Sequence, residues 1–386
     1  MKILEVSDFH FTGGASIAAF RISDALTAKG THVTRISSDS PTPGNTLTLG
    51  RRTKSFLNLF KSLQLTAFLR LIYLKGYIRQ MSLILERHNP EFCMFHNIHG
   101  AGWPLEIVRV ASSYCPISWT LHDCSSFLGS YYPSHSPLPS DREKLLLRSH
   151  WDSISKEKTR FPLCAVTPSD WMNNQAKSSS WSDHLVKTIH NPVPTSYFVN
   201  RDQVACKQAL GVSTEKPLVL CIAGNLEEER KGGNILKEVL HSKFEDVNFL
   251  LIGRTTDSIS EHKENIYSLG FIQDEITMQI AYNAADIVLH PAPIDNLPNT
   301  VAEAMSAGAP VLAFRTGGLS EMVIPSKSGW LVPKINAQLM VQELVSIIKS
   351  KSYKDLRNST QAIARQLFDT KSIGEQYMKL IQEIVS

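Results

Sequence analysis

Two acids and two bases in the second half of the chain have the types and spacing to grip one charged, polar ligand. In Asp295-Asn296-Leu297-Pro298-Asn299-Thr300-Val301-Ala302-Glu303-Ala304-Met305, followed by Ser306-Ala307-Gly308-Ala309-Pro310, the acids stand eight residues apart. Pro298 and Gly308 bracket a short helix, so Asp295 falls in the loop before it and Glu303 within it. The two carboxylates then reach opposite ends of one ligand while the helix N-terminus faces its phosphates. The plainer alternative is an N-terminal acid plus a surface Glu, yet Glu303 lies among Val301, Ala302, Ala304 and Met305, where a charge needs a partner. Upstream, Arg230-Lys231-Gly232-Gly233 sets two adjacent cations beside flexible backbone. Arg grips two oxygens and Lys acts as a point charge, a combination that neutralises a diphosphate. Taken alone, it also reads as a solvated loop pair.

Near the N-terminus, Gly13-Gly14-Ala15 stands where a first strand becomes a first helix, so backbone N–H groups and the positive helix end face outward there, toward a phosphate if one is bound. The sequence is not Gly-x-Gly-x-x-Gly, which disfavours a dinucleotide site. A glycine pair in this place is often only a tight turn.

The elements that must carry these residues follow a repeating grammar. Lys2 to Ser7 reads as a buried strand, Ala15, Ala18, Ala19, Ile22, Ala25 and Leu26 recur with helical spacing until Gly30, and His32 to Ile36 reads as a second strand. Runs at Phe92–Phe95 and Ile117–Leu121 continue a parallel α/β sheet. After the proline-bounded link Asn191-Pro192-Val193-Pro194 the pattern restarts, with strand-like runs at 217–224, 249–253, 287–289 and 310–314. At 386 residues the chain suits two domains. The expectation is an α/β protein of two Rossmann-like domains facing a central cleft, with ligands at the carboxyl ends of the strands.

Composition narrows the classes further. Hydrophobic residues at 42% and charged residues at 20% exclude disorder and fibrous classes. A net charge of +4 is too small to argue for nucleic acid. The six cysteines form no Cys-x-x-Cys pair and no zinc-type cluster, and read as reduced thiols. Neither a cleavable leader nor an 18-residue apolar stretch stands out, so a cytoplasmic location is expected. From Ser40 to Leu85 no acid occurs, while basic residues alternate with Phe and Leu. Segment 51–80 therefore reads either as amphipathic helix resting on the anionic inner face of a membrane or as a core-facing helix pair with a solvated basic face.

The stretch from Asp295 to Gly308 resembles the acid-x7-acid motif of glycosyltransferase family 4, in particular polysaccharide-biosynthesis members with an Asn-Leu-Pro-Asn-Thr core. The resemblance is carried also by Gly13-Gly14-Ala15, His96-Asn97-Ile98-His99-Gly100, Thr120-Leu121-His122-Asp123, Val166-Thr167-Pro168-Ser169, Ile189-His190-Asn191-Pro192, Arg230-Lys231-Gly232, Ala284-Ala285-Asp286 and Thr316-Gly317-Gly318, in that order along nearly the whole chain. It implies a GT-B fold with an acceptor domain at 1–195, a nucleotide-sugar domain at 196–365 and a last helix, 366–386, returning to the first.

The resemblance further implies retaining transfer of a sugar from a UDP- or GDP-linked donor to a glycan or lipid-linked acceptor, without cofactor or metal. By the same likeness Glu303 accepts from ribose, Arg230 and Lys231 hold the diphosphate, Asp295 faces the sugar and His122 lies near the reacting carbon. The donor site would also include Gly13, Gly14, Asn225, Asn296, Leu297, Asn299, Thr300 and Val301. Read without the likeness, His122 is a satisfied core histidine. Two residues depart from the family pattern: Asp295 stands where Glu is usual, and Asn225 where Arg is frequent. The rival readings are a nucleotide-sugar epimerase or phosphorylase on the same fold, and a nucleotide-binding protein without catalysis.

Overall fold

The computed structural model describes residues 1–39, 46–49, 67–128, 161–242, 244–255 and 264–386. They form two compact units, one of Met1–Pro192 with Lys371–Ser386 and the other of Val193–Thr370.

In the first unit, β1 (Lys2–Val6), β2 (His32–Ser37), β3 (Thr46–Thr48), β4 (Phe92–Phe95), β5 (Ile117–Thr120), β6 (Leu163–Thr167) and β7 (Leu185–Thr188) pair in parallel in the order β3-β2-β1-β4-β5-β6-β7. Strands covered on both faces are apolar throughout rather than alternating, and every residue of β4 and β5 is buried. Helices α1 (Gly14–Thr27), α2 (Ala67–His88), α3 (Glu106–Ser112), α4 (Ser125–Leu128) and α5 (Asp170–Lys177) connect them. Tyr77, Met81 and Leu85 form a buried stripe at helical spacing along α2, with Lys75 and Arg79 exposed. This part of the basic segment is a core-facing helix with a solvated basic side. Residues 51–66 of that segment lie outside the described residues.

The second unit repeats the plan. β8 (Leu218–Asn225), β9 (Asn248–Arg254), β10 (Ile266–Ser268), β11 (Ile287–His290), β12 (Val311–Phe314) and β13 (Gly329–Val332) pair in parallel in the order β10-β9-β8-β11-β12-β13. The helices are α6 (Gln203–Ala209), α7 (Gly233–His241), α8 (Glu275–Ala284), α9 (Asn299–Ser306), α10 (Leu319–Met322), α11 (Ala337–Ser350) and α12 (Arg357–Phe368). α9 is the helix bracketed by Pro298 and Gly308. Arg357 pins its C-terminal end by donating to the carbonyls of Asn283, Ala285 and Ala307, and Gln361 donates to that of Ser306.

α13 (Thr370–Val385) returns to the first unit. Its Ile373, Tyr377, Leu380 and Ile381 join Ile3, Ile22, Leu26, Phe92, Met94 and Val166 in one core. Gly374 makes the close approach possible, because a Cβ there would already lie 3.2 Å from the carbonyl oxygen of Ala25 on α1.

Each sheet is built outward in one direction and then resumed on the other side of its first strand. β4 lies beside β1, and β11 beside β8. The loops leaving those strands diverge and open a crevice at their carboxyl ends. In the first unit the crevice residues are Asp8 to Gly14 and His96 to Gly100; in the second they are Asn225 to Gly233 and Pro291 to Asn299.

Candidate active site

In the second unit, Asn225 ends β8, and its Oδ1 accepts from the Glu227 N–H at 2.9 Å, turning the chain. A 3-10 turn over Glu229–Lys231 leads into Gly232, at φ +83°. A Cβ on Gly232 would collide with the Pro291 carbonyl oxygen, and one on Gly233 would meet the Glu227 carbonyl group. The glycine pair therefore lets this turn lie directly against the loop that leaves β11.

That approach brings Lys231 to Asp295, where Nζ donates to Oδ2 at 2.7 Å. His290, the last residue of β11, places Nε2 3.6 Å from the same oxygen, and the Asn296 N–H donates to Oδ1 at 3.0 Å. Burial of Asp295 pushes its carboxyl group up, but the Lys231 charge and His290 outweigh this and hold it well below the usual carboxylate range. Asp295 is thus a fixed negative charge at neutral pH. Its carbonyl oxygen accepts from the Gly318 N–H at 3.0 Å, and Gly317, at φ +55°, packs where any Cβ would strike that oxygen. The Thr316-Gly317-Gly318 segment is the brace of this loop.

The two adjacent cations separate. Arg230 Nε donates to Glu228 Oε1 at 2.8 Å, so it enters a different ion pair from Lys231. Glu303, on the second turn of α9, is 8% exposed and accepts from the buried Tyr282 hydroxyl at 2.8 Å. Tyr282 on α8 is the partner that its apolar surroundings required. Leu297 and Val301 belong to the core, Asn296 is buried, and Asn299 and Thr300 stand half-buried at the start of α9.

In the first unit, Gly13 caps α1 at φ +90° and Gly14 begins it, both exposed. Asp8 sits beside them: its Oδ1 accepts from the Phe9 N–H at 3.0 Å and from Ser16 Oγ, on the first turn of α1, at 3.4 Å. Burial raises its carboxyl group to about 6, against a smaller lowering by His99. The helix end with the glycine pair thus already has a carboxylate beside it.

His122 follows β5, and its Nε2 lies 2.9 Å from Nδ1 of His96 at the end of β4. Desolvation lowers the His122 imidazole to about 4. Asp123 accepts from Asn97 Nδ2 at 2.9 Å and from the Ser125 N–H at 2.8 Å, while Ser125 Oγ lies 2.9 Å from His99 Nδ1. These bonds stitch the two strand ends together around a cavity of about 190 Å³ lined by Asn97, His99, Trp103, Trp119, Asp123 and Ser125.

Sequence reasoning named Lys231, Asp295, Glu303 and His122 but not the residues that hold them. His290 had a visible signal, a histidine closing an apolar strand just before the site loop. Tyr282, Asp8 and His96 had none as partners, because each meets its target only through strand or helix adjacency. Among the described residues there is no group of three or more His, Cys, Asp or Glu arranged to hold a metal ion. Nor, among them, is any helix long and apolar enough to cross a membrane.

Two parallel α/β units of this kind make up the GT-B fold, and chains of that fold superpose on this one over nearly their whole length. Sucrose-phosphate synthase from Thermosynechococcus elongatus superposes with a TM-score of 0.77 at 18% identity, covering 99% of this chain and 98% of that one. HepE from Anabaena, in complex with UDP-glucose, gives 0.70 at 20% identity, covering 99% and 100%. At such identities the likeness is one of fold.

Within this frame, residues 217–350 match the family model described as glycosyl transferases group 1. The phosphatidyl-myo-inositol mannosyltransferase of Mycobacterium leprae is 23% identical over 197 residues, 49% of this chain and 52% of that protein. A putative colanic acid biosynthesis glycosyltransferase, WcaL, of Salmonella typhimurium is 31% identical over 108 residues, 26% of this chain and 27% of that protein. The chain thus matches about half the length of these curated relatives, or less.

Proposed function

We propose that the chain is a retaining, metal-independent glycosyltransferase of hexosyl type that moves a sugar from a UDP- or GDP-linked donor to a hydroxyl of a glycan or lipid-linked acceptor. The reading rests on one observation: the Lys231–Asp295 pair at 2.7 Å, just ahead of the helix that carries Glu303, inside the span 217–350. Glu303 accepts from the ribose. Lys231, an ammonium with three donors, serves Asp295 and a diphosphate oxygen together. Arg230 exchanges Glu228 for a second oxygen, and Asp295 faces the transferred sugar. From the resemblance we assign His122 to the reaction and Gly14 to the phosphates.

In the transfer, the bond from the anomeric carbon to the diphosphate oxygen breaks and the acceptor oxygen bonds on the same face. The acceptor's proton passes to the departing phosphate. Lys231, Arg230 and the N–H groups at the start of α9 meet the charge that grows on the diphosphate. These fixed positive groups take the part that a divalent ion plays elsewhere. The UDP-glucose bound to HepE supports the donor class, and the names of the curated relatives support a polysaccharide or glycolipid acceptor. With a lipid-linked acceptor, the basic segment would work at the inner face of the membrane.

A thermal-shift panel of UDP, GDP, ADP and their sugars tests the donor, since a ligand of the folded state raises its melting temperature. One uridine or guanosine donor is expected to bind and then to be consumed at the same rate in chelator. The product's anomeric coupling constant should match the donor's. Inversion, or consumption that stops in chelator and returns with magnesium, would overturn the mechanism.

A further inference from the structure

His96 is fully buried, and its ring lies nearly parallel to that of His122, with centroids 5.2 Å apart at 23°. Between His96 Nδ1 and His122 Nε2, at 2.9 Å, one proton must lie. Two neutral arrangements supply it. If His122 donates, its Nδ1 is bare and His96 carries its own proton on Nε2. If His96 donates, His96 Nε2 is bare and His122 carries its proton on Nδ1.

The other nitrogen of His96 decides between them. His96 Nε2 is buried, and no described residue within hydrogen-bonding reach accepts from it. Buried N–H groups without an acceptor are rare in folded proteins. Burial, His122 and the Arg35 charge all lower this ring, which keeps it neutral. Arg35 is itself held by Glu5, with Nε donating to Oε1 at 2.6 Å.

We infer that His96 is a positioning residue that donates from Nδ1 to His122 Nε2 and thereby fixes His122 as the Nδ1–H tautomer. Which ring nitrogen bears the proton is set by the bond that the other one makes. His122 Nδ1 then carries a hydrogen and acts as a hydrogen-bond donor, and it does not take a proton as a base. This rests on the reading of His122 as a residue of the reacting site. Its direct test does not, because the tautomer is measured on the full chain without donor or acceptor.

Long-range ¹⁵N–¹H correlation spectra of the histidines, assigned with His122→Gln, report the protonated nitrogen. The wild type is expected to show His122 protonated on Nδ1. His96→Phe keeps the ring volume and removes the donor, so His122 should revert to Nε2–H, the form imidazoles of histidine prefer in water. His96→Asn keeps an amide donor close to the place of Nδ1 and should restore Nδ1–H. With a donor in hand, His96→Phe should lower kcat by on the order of 10-fold or more at little change in donor KM, and His96→Asn should recover most of it. A wild-type His122 protonated on Nε2 overturns the inference, as does a tautomer unchanged in His96→Phe. Where His96→Phe fails to fold, the wild-type spectrum alone decides.

Discussion

At the residue scale, the charges of both units are set by burial against specific partners, and pH reads this directly. Glu5 is fully buried, and burial raises it to about 7 although Arg35 lowers it through a 2.6 Å bond. The folded state therefore binds this proton more tightly than the unfolded chain. Its contribution to stability is complete below the ordinary value of 4.5 and is lost as pH rises through about 7. Urea unfolding of wild type and Glu5→Gln should thus diverge with pH: wild type loses stability relative to the variant from about pH 4.5 to about pH 7, by up to about 1.4 kcal/mol per unit. A constant difference would contradict it. Asp295 has the opposite sign: held low by Lys231 and His290, it adds stability above the ordinary value of 3.8 that is lost as pH falls below it. Lys231→Ala should lower kcat by on the order of 10² and, by taking the Lys231 charge away from buried Asp295, introduce a dependence on Asp295 protonation at higher pH than in wild type. Glu303→Gln should instead raise donor KM with a smaller effect on kcat. Tyr282→Phe should act in the same direction and cost about 1–3 kcal/mol of stability, since it removes a donor from a buried carboxylate. Steady-state kinetics in which Tyr282→Phe leaves donor KM unchanged would detach this tyrosine from the site.

At the scale of elements, the turn between β8 and α7 carries the site by its closeness to the β11–α9 loop. Gly232→Ala adds a methyl where the Pro291 carbonyl stands, at a φ of +83° that already disfavours a side chain. Gly211 has a φ of +67° with open space around it. Gly211→Ala should therefore cost only backbone strain of about 1 kcal/mol. Gly232→Ala should cost roughly 2 kcal/mol or more and lower kcat as Lys231 draws away from Asp295. Equal urea midpoints for the two variants would show that the close approach does not matter. The strands were legible in the sequence because parallel strands buried on both faces are apolar runs, and α9 was legible because Pro298 and Gly308 mark its ends. The ion pairs were not legible. Lys231 and Asp295 are 64 residues apart and meet only because β11 lies beside β8. The separation of Arg230 from Lys231 is a property of the 3-10 turn, which local composition does not specify. His96 stands in the His96-Asn97-Ile98-His99-Gly100 run, but its pairing with His122 needed the adjacency of β4 and β5.

At the scale of the whole molecule, α13 completes a core that lies before it in the chain. Removing residues 371–386 would uncover the groove that Ile373, Tyr377, Leu380 and Ile381 fill. Each such side chain contributes roughly 1.5–3 kcal/mol by burial, a sum comparable to the whole stability of an ordinary domain. In calorimetry, a chain ending at Thr370 should lose the transition of the first unit and keep that of the second; two intact transitions would mean that the helix is dispensable. The same arrangement bears on synthesis. A ribosome makes residues 1–192 first, then all of the second unit, and only then the strip that closes the first. The second unit can reach its native state while the first is still open, so the order of maturation runs against the order of translation. Throughout that interval the nascent chain carries an apolar groove awaiting α13, which makes it a client for chaperones at the tunnel exit.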